Sequence, residues 1–136
     1  MKKQIIPGCA AIAFALVISA GSVSFLGPCV HDDGTAGACT WAGRALLGDG
    51  ILLLALSALA VLLRRARFGL YLGAFLASLL GALIPGVLMD LCRKSTMRCR
   101  AVMQPAMILL FTAAALAAAC GAAACAREAG KSVNRP

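Results

Sequence analysis

The residues best suited to chemistry are four cysteines in two short polar segments of an otherwise apolar chain. They are Cys29 and Cys39 in the first segment and Cys92 and Cys99 in the second. His31 lies between the cysteines of the first pair, and Met97 lies between those of the second. Thiols, imidazole and thioether are the groups used by disulfides, soft-metal sites and redox centres. Three interpretations of these segments are therefore open.

The structural interpretation joins the cysteines as disulfides, and it is the one that we favour. Either each polar segment closes on itself, as Cys29–Cys39 and Cys92–Cys99, or the pairs cross between segments. Four cysteines allow three pairings, and the sequence cannot choose among them. For the second segment we expect the Cys92–Cys99 bond, because the residues between them can form a compact turn. Closing loops this short would stabilise the fold by about 2–3 kcal/mol.

The two alternatives are a metal site and a redox centre. A soft Cu(I) or zinc site would draw on a set of six residues. These are Cys29, His31, Cys39, Cys92, Met97 and Cys99. Basic neighbours such as Arg93 and Lys94 oppose a bound cation, although they would favour a reactive thiolate in thiol–disulfide exchange. Neither segment contains the C-x-x-C spacing typical of both kinds of site, so we expect no cofactor and no enzymatic activity.

The elements that must position these residues are membrane helices. The chain has 136 residues, of which 62% are hydrophobic and only 13% charged, a composition that leaves too few polar residues to cover a soluble domain. Four apolar segments, at about 5–27, 45–63, 68–89 and 101–126, are long enough to cross roughly 30 Å of hydrocarbon. We therefore predict an all-α membrane protein, a single domain over 1–136. It would be an antiparallel bundle of four transmembrane helices with two short extracytoplasmic cysteine loops and a disordered cytoplasmic tail, 127–136. A cleaved signal peptide at Ser19-Ala20-Gly21 is the alternative for the first segment, but the apolar run continues past that point.

The distribution of basic residues predicts the orientation. The net charge is +8, and the lysines and arginines lie at the ends of the apolar segments, as bilayer anchors do, so we expect no nucleic-acid partner. With both termini in the cytoplasm, the inner side carries more basic residues than the outer side. The same orientation places the four cysteines outside, where disulfides persist. We therefore expect a multi-pass protein of the bacterial cytoplasmic (inner) membrane.

Small residues recur every four positions in the last two segments and predict close helix packing. They are Gly69, Gly73, Ala77 and Gly81 in the third segment, and Ala113, Ala117 and Gly121 in the fourth. Such strips let helix backbones approach in lipid. We expect the third and fourth helices of one chain to meet there, a homo-oligomer or another membrane protein being the alternative partner. Asp49 lies close to the predicted outer end of the second helix, so we expect it to be solvated or paired with Arg44.

The second polar segment and its flanks resemble a known family. The residues that carry the resemblance are Ile84-Pro85-Gly86, Cys92, Met97-Arg98-Cys99-Arg100 and Pro105-Ala106. They are similar to a motif of the DUF4418 family of small bacterial membrane proteins, for which no activity is known. Relatives are expected to carry Met-x-Cys or Met-Cys-His in such loops, whereas the first segment here has Ala38-Cys39-Thr40. Together, composition and resemblance point to a non-enzymatic accessory subunit of a larger membrane complex, a transporter being one partner that the resemblance implies.

Overall fold

The protein folds into four α-helices with no strand among the residues that the structure describes. The structure is a computed structural model, and it describes residues 2–24, 38–89 and 99–133. The helices are α1 (Lys2–Val23), α2 (Ala38–Leu62), α3 (Arg67–Leu83) and α4 (Gln104–Val133), and a five-residue π-turn, Cys99–Met103, leads into α4. Three helices are long and apolar enough to cross a membrane, with spans at Ile6–Val23, Cys39–Leu62 and Cys99–Gly130. The helix α3 is apolar but shorter, at 17 residues.

Each helix packs mainly on two others, and the four contacts close a ring. The helix α1 packs on α2 and α4, while α3 packs on α2 and α4 from the other side. Their inward faces form one apolar core. Fully buried members of that core are Ala15, Ile18, Leu46, Leu53, Ala74, Met107, Phe111, Ala114 and Ala118. Many large apolar side chains also remain exposed, as expected of the lipid-facing surface of a membrane bundle.

Close contacts at glycines define how neighbouring helices are aligned. Between α1 and α2, Gly50 faces Ser19, whereas Gly8 faces Val61. Between α2 and α3, Gly81 faces Asp49, whereas Gly73 faces Leu56. Between α3 and α4, Gly81 faces Phe111, whereas Gly121 faces Tyr71. In all three pairs, a later residue in one helix meets an earlier residue in the other.

The helix α2 begins seven residues before the predicted start at residue 45. Residues 39–44, with Thr40, Trp41 and Arg44, belong to the polar segment that precedes the predicted helix. In the structure these residues are helical. Cys39, Ala42 and Leu46 form one buried stripe at helical spacing, while Trp41 and Arg44 point outwards. The Arg44 guanidinium lies 5.3 Å from the centre of the Trp41 ring, so the two exposed side chains cover each other.

The helix α3 ends at Leu83, six residues before the predicted end at residue 89. Pro85 has no amide hydrogen to continue the helix, and Gly86 then takes a positive φ of +103°. The chain closes into a tight turn over 84–89, in which the amides of Leu88 and Met89 donate to the carbonyls of Leu83 and Ile84. The Gln104 side-chain amide, at the start of α4, donates to the Pro85 carbonyl at 3.4 Å. The positive φ is one that residues with a side chain rarely adopt, so glycine is favoured here, and a Cβ atom would also meet the Gln104 amide.

The helix α4 continues to Val133, where the sequence was expected to give a disordered tail from residue 127. The reason is local propensity, because Ala126, Arg127, Glu128 and Ala129 are all strong helix formers that need no core to stay helical. At its other end Pro105 occupies the second position of α4, directly after the π-turn.

One arginine closes the link between α2 and α3, which is only four residues long. Arg67 donates from Nε to the Ala60 carbonyl and from a terminal nitrogen to the Val61 carbonyl, both at 3.0 Å. These carbonyls belong to the last turn of α2, where no helical amide remains to bond them. The guanidinium therefore caps one helix from the first residue of the next.

Candidate functional site

Asp49 lies in the interior of the bundle, and this corrects the expectation that it is solvated or paired with Arg44. It is the twelfth of the 25 residues of α2, close to the middle of that span. Only 8% of its surface is exposed. Arg44 contacts Trp41 on the outer surface. The expectation was wrong because the helix start was placed too late, which moved Asp49 from mid-helix to the first turn.

A notch in α3 and a ring from α4 enclose the Asp49 carboxyl. A Cβ atom at Gly81 would collide with Asp49 Oδ2 and with the Phe111 ring. Only a glycine at position 81 leaves room for both groups. Within the described chain, Oδ2 has no hydrogen-bond partner. A carboxyl in this place is costly unless a proton, a counter-ion or a donor satisfies it.

Two serines add further polar oxygens on or against α2. The Oγ atoms of Ser57 and Ser19 are buried and, like Asp49 Oδ2, have no hydrogen-bond partner among the described residues. Ser57 lies further along α2, and Ser19 of α1 lies against Gly50, next to Asp49 in sequence. Ser22 and Ser78 differ, since each donates to a carbonyl of its own helix. The oxygens that lack a partner are thus grouped at α2.

A second close contact holds Tyr71 between two glycines. Tyr71 of α3 is 1% exposed. A Cβ atom at Gly121 of α4 would lie 2.8 Å from two ring carbons, and one at Gly8 of α1 would lie 2.8 Å from the hydroxyl oxygen. The ring therefore fills space that the two glycines vacate, and it links three helices. Sequence reasoning missed Tyr71, although its spacing from Ala74, Ser78 and Gly81 marks the buried face of α3.

The predicted strips of small residues are only partly at helix contacts. Gly81 and Gly121 are at tight contacts, Ala77 is buried, and Ala113 and Ala117 are half-buried. Gly73 has only an ordinary contact, 3.8 Å from Leu56, and Gly69 faces open space. The reason is geometric: four residues overshoot one helical turn by about 40°, so a strip of this spacing winds around the helix.

Of the predicted cysteine site, the structure describes Cys39 and Cys99. Cys39 is 4% exposed at the start of α2, and Cys99 is fully buried in the π-turn. Cys29, His31, Cys92 and Met97 lie outside the described residues. Within the described part of the chain, no group of three or more histidine, cysteine or acidic residues could hold a metal ion. The remaining cysteines lie in the spans, with Cys9 and Cys120 exposed and Cys125 half-buried.

Comparison with known proteins decides the family. A family model described as a domain of unknown function, DUF4418, matches residues 11–125, which is most of the chain. The chain belongs to the DUF4418 family. The match confirms the resemblance inferred from the residues around Cys92 and Cys99. No curated protein and no solved structure matches it.

The matched region of this DUF4418 protein includes the contacts described above except that of Gly8. Asp49, Tyr71, Gly81, Phe111 and Gly121 all fall within residues 11–125. The family model attaches no activity to them, so any chemistry must be argued from their geometry.

The first prediction tests the tight helix contacts of this DUF4418 protein. Gly121→Ala should destabilise the bundle by about 1–3 kcal/mol, because the new methyl group overlaps the Tyr71 ring. The matched control is Gly69→Ala, which meets nothing within 4 Å and should stabilise α3 by up to about 1 kcal/mol through helix propensity. Thermal unfolding in detergent, followed by circular dichroism, measures both. Equal midpoints for the two variants would contradict the contact.

Proposed function

We propose that this protein is a non-enzymatic accessory subunit that docks against a larger complex in the bacterial cytoplasmic membrane. The proposal rests on a turn with exposed apolar side chains at the end of α3, within the membrane-spanning part of the chain. Val87 is 75% exposed and Leu88 is 58% exposed. Non-helical backbone at membrane depth is tolerated where protein or a water-filled cavity covers it. A transmembrane segment of another protein is the cover that fits apolar side chains.

The depth of the turn follows from an antiparallel arrangement of four spans, which is part of the proposal. The paired glycine contacts support opposite directions for successive helices, because late residues in one meet early residues in the next. Gly81 is level with Asp49, near the middle of α2, and α3 ends only two residues later. At 1.5 Å per residue, α2 continues for roughly 16 Å beyond Asp49 towards its first residue. The 17 residues of α3 rise roughly 25 Å from Arg67 at the cytoplasmic end, so the turn over 84–89 begins in the outer part of the bilayer, short of the roughly 30 Å hydrocarbon thickness.

The core composition supports a surface role over transport by this chain alone. Buried polar side chains in the described residues are few, and they are Ser22, Asp49, Ser57 and Ser78. The remaining core is alanine, leucine, isoleucine, methionine, cysteine and aromatic residues. A path for a polar substrate needs a continuous series of polar groups. A close-packed apolar core of this kind stabilises the bundle but offers no polar path, so the proposed function lies at the outer surface.

The orientation proposed is the one in which both termini are cytoplasmic. It places the link between α2 and α3, with Arg64, Arg65 and Arg67, on the cytoplasmic side. The same orientation places the first residues of α2 and the π-turn, and with them Cys39 and Cys99, on the external side. Disulfides are stable there, because that compartment is oxidising.

A structural role for the outer cysteines is supported by burial. A redox-active thiol must be reached by the sulfur of its substrate, so such a cysteine is partly exposed. Cys39 and Cys99 are both almost completely buried. We therefore propose that the outer loops are closed by disulfides that involve Cys29, Cys39, Cys92 and Cys99. Thiol–disulfide exchange and a soft-metal site remain as outcomes of the test.

The second prediction concerns these four cysteines. Protein purified without reductant should yield disulfide-linked peptides of Cys29, Cys39, Cys92 and Cys99 by mass spectrometry, with no copper or zinc. When intact cells are first given a membrane-impermeant reductant, cysteines of these loops should take up an impermeant maleimide, while Cys9 and Cys120 stay untagged. Unlinked thiols with stoichiometric metal would overturn the structural role. Tagging of the loop cysteines only after lysis would show that the loops face the cytoplasm, which contradicts the proposed orientation.

The third prediction concerns docking at the turn. A photoreactive amino acid at Val87 should give a discrete adduct with one other membrane protein in cells, because the turn is covered there. The control position is Leu109 on α4, which is 69% exposed and two residues from Phe111, so it should react mainly with lipid. Mass spectrometry of the adduct, and the reverse cross-link from the partner, identify the contact.

Two outcomes of the cross-linking would contradict the proposal. Only lipid adducts at both positions would show that nothing docks at the turn. An adduct of twice the protein's own mass would show that the turn is covered by a second copy of this chain.

A further inference from the structure

No described group around the Asp49 carboxyl would compensate a negative charge on it. It lies mid-span in α2, between the Gly81 notch and the Phe111 ring. Its neighbours in the buried stripe of α2 are Leu46 and Leu53, which are fully buried. From α1, Ser19 lies against Gly50, the residue after Asp49, and its hydroxyl does not titrate. No group packed against Asp49 in the described structure is a cation.

The end of α3 disfavours a negative charge at the same place. Gly81 touches Oδ2, and the helix ends two residues further, at Leu83. The C-terminal end of a helix carries a partial negative charge of roughly half an electron. A carboxylate anion beside it would be repelled, while a neutral acid would not. Burial and the negative end of α3 thus both favour the neutral acid over the carboxylate.

A bound metal cation fits this place poorly. Sodium or a larger cation takes several oxygen ligands, commonly six or more for Ca²⁺. Besides one carboxylate oxygen of Asp49, the unpartnered oxygens of the described groups are only the hydroxyls of Ser19 and Ser57, too few for such a site, and Phe111 occupies the space beside the carboxylate. A proton needs only the carboxylate oxygen itself. The geometry therefore favours a proton over a metal cation at this carboxyl.

We propose that Asp49 is a proton-binding site inside the bundle, which holds one exchangeable proton as a neutral carboxylic acid in the folded protein at neutral pH. The bond formed is O–H on the Asp49 carboxyl, and the proton comes from water. Aspartic acid in this form fits the space between α2, α3 and α4 without a counter-ion. Loss of the proton places an uncompensated charge at the contact of those three helices, so proton binding is coupled to how tightly the bundle closes. This inference does not depend on the docking role.

Nuclear magnetic resonance of the wild-type protein tests the site without any mutation. The chain has four aspartates, Asp32, Asp33, Asp49 and Asp90. With aspartate isotope-labelled at the side-chain carboxyl carbon, in lipid nanodiscs at neutral pH, one of the four resonances should lie at the position of a protonated acid. That resonance should move to the carboxylate position only when the buffer is made more alkaline than neutral. Four carboxylate resonances at neutral pH would overturn the proposal, whether the counter-ion is a metal or a basic side chain.

Two variants assign the resonance. Asp49→Asn preserves size and neutrality, so it should fold and should remove the protonated-acid resonance. Glu128→Gln, at an exposed position on α4, is the control and should leave that resonance in place. Persistence of the protonated signal in Asp49→Asn would assign it to another aspartate and would sink the proposal. If Asp49→Asn fails to fold, selective labelling of the wild type still decides between the acid and the carboxylate.

Discussion

The contact of Asp49, Gly81 and Phe111 is the constraint around which the bundle is arranged. A carboxyl near the middle of a membrane span must be enclosed, and enclosure needs a gap of the right size in the neighbouring helix. Gly81 provides the gap, and Phe111 closes it from α4. A shift of α2 against α3 by one residue would move the carboxyl from the glycine to a larger side chain. The carboxyl therefore fixes the register of three helices at once.

A second glycine–aromatic contact joins α3 and α4, with the two roles swapped between the helices. At one level α3 supplies the glycine, Gly81, and α4 supplies the aromatic ring, Phe111. Ten residues away in each helix, α4 supplies the glycine, Gly121, and α3 supplies the ring, Tyr71. Lipid is as apolar as the side chains, so burial of apolar area does not drive helices together in a bilayer. Complementary shape must do so, and two glycine–aromatic pairs about 15 Å apart fix both the separation and the alignment of the helices.

The sequence predicted the class of the protein and much of its helical content, because both depend on long runs of apolar residues. It also predicted family membership, from residues such as Pro85 and Met97. It misplaced the start of α2, since Thr40, Trp41 and Arg44 look like a loop until their spacing is compared with Cys39, Ala42 and Leu46. That error concealed Asp49. The strip of small residues was also predicted only in part. A strip with four-residue spacing winds around the helix, so Gly81 is buried at a contact while Gly69 is exposed. Helix register is a property of pairs of helices, and periodicity within one helix cannot supply it.

A double-mutant cycle on Gly81 and Phe111 tests the central contact most directly. Gly81→Ala should destabilise the protein, because its methyl group meets the Phe111 ring and the Asp49 carboxyl. Phe111→Leu removes part of that ring, so the double variant should be more stable than the sum of the single effects by more than about 0.5 kcal/mol. Gly69→Ala combined with Phe111→Leu should be additive, since Gly69 meets nothing. Additivity for Gly81 and Phe111 as well would show that the two residues do not touch, which contradicts the account.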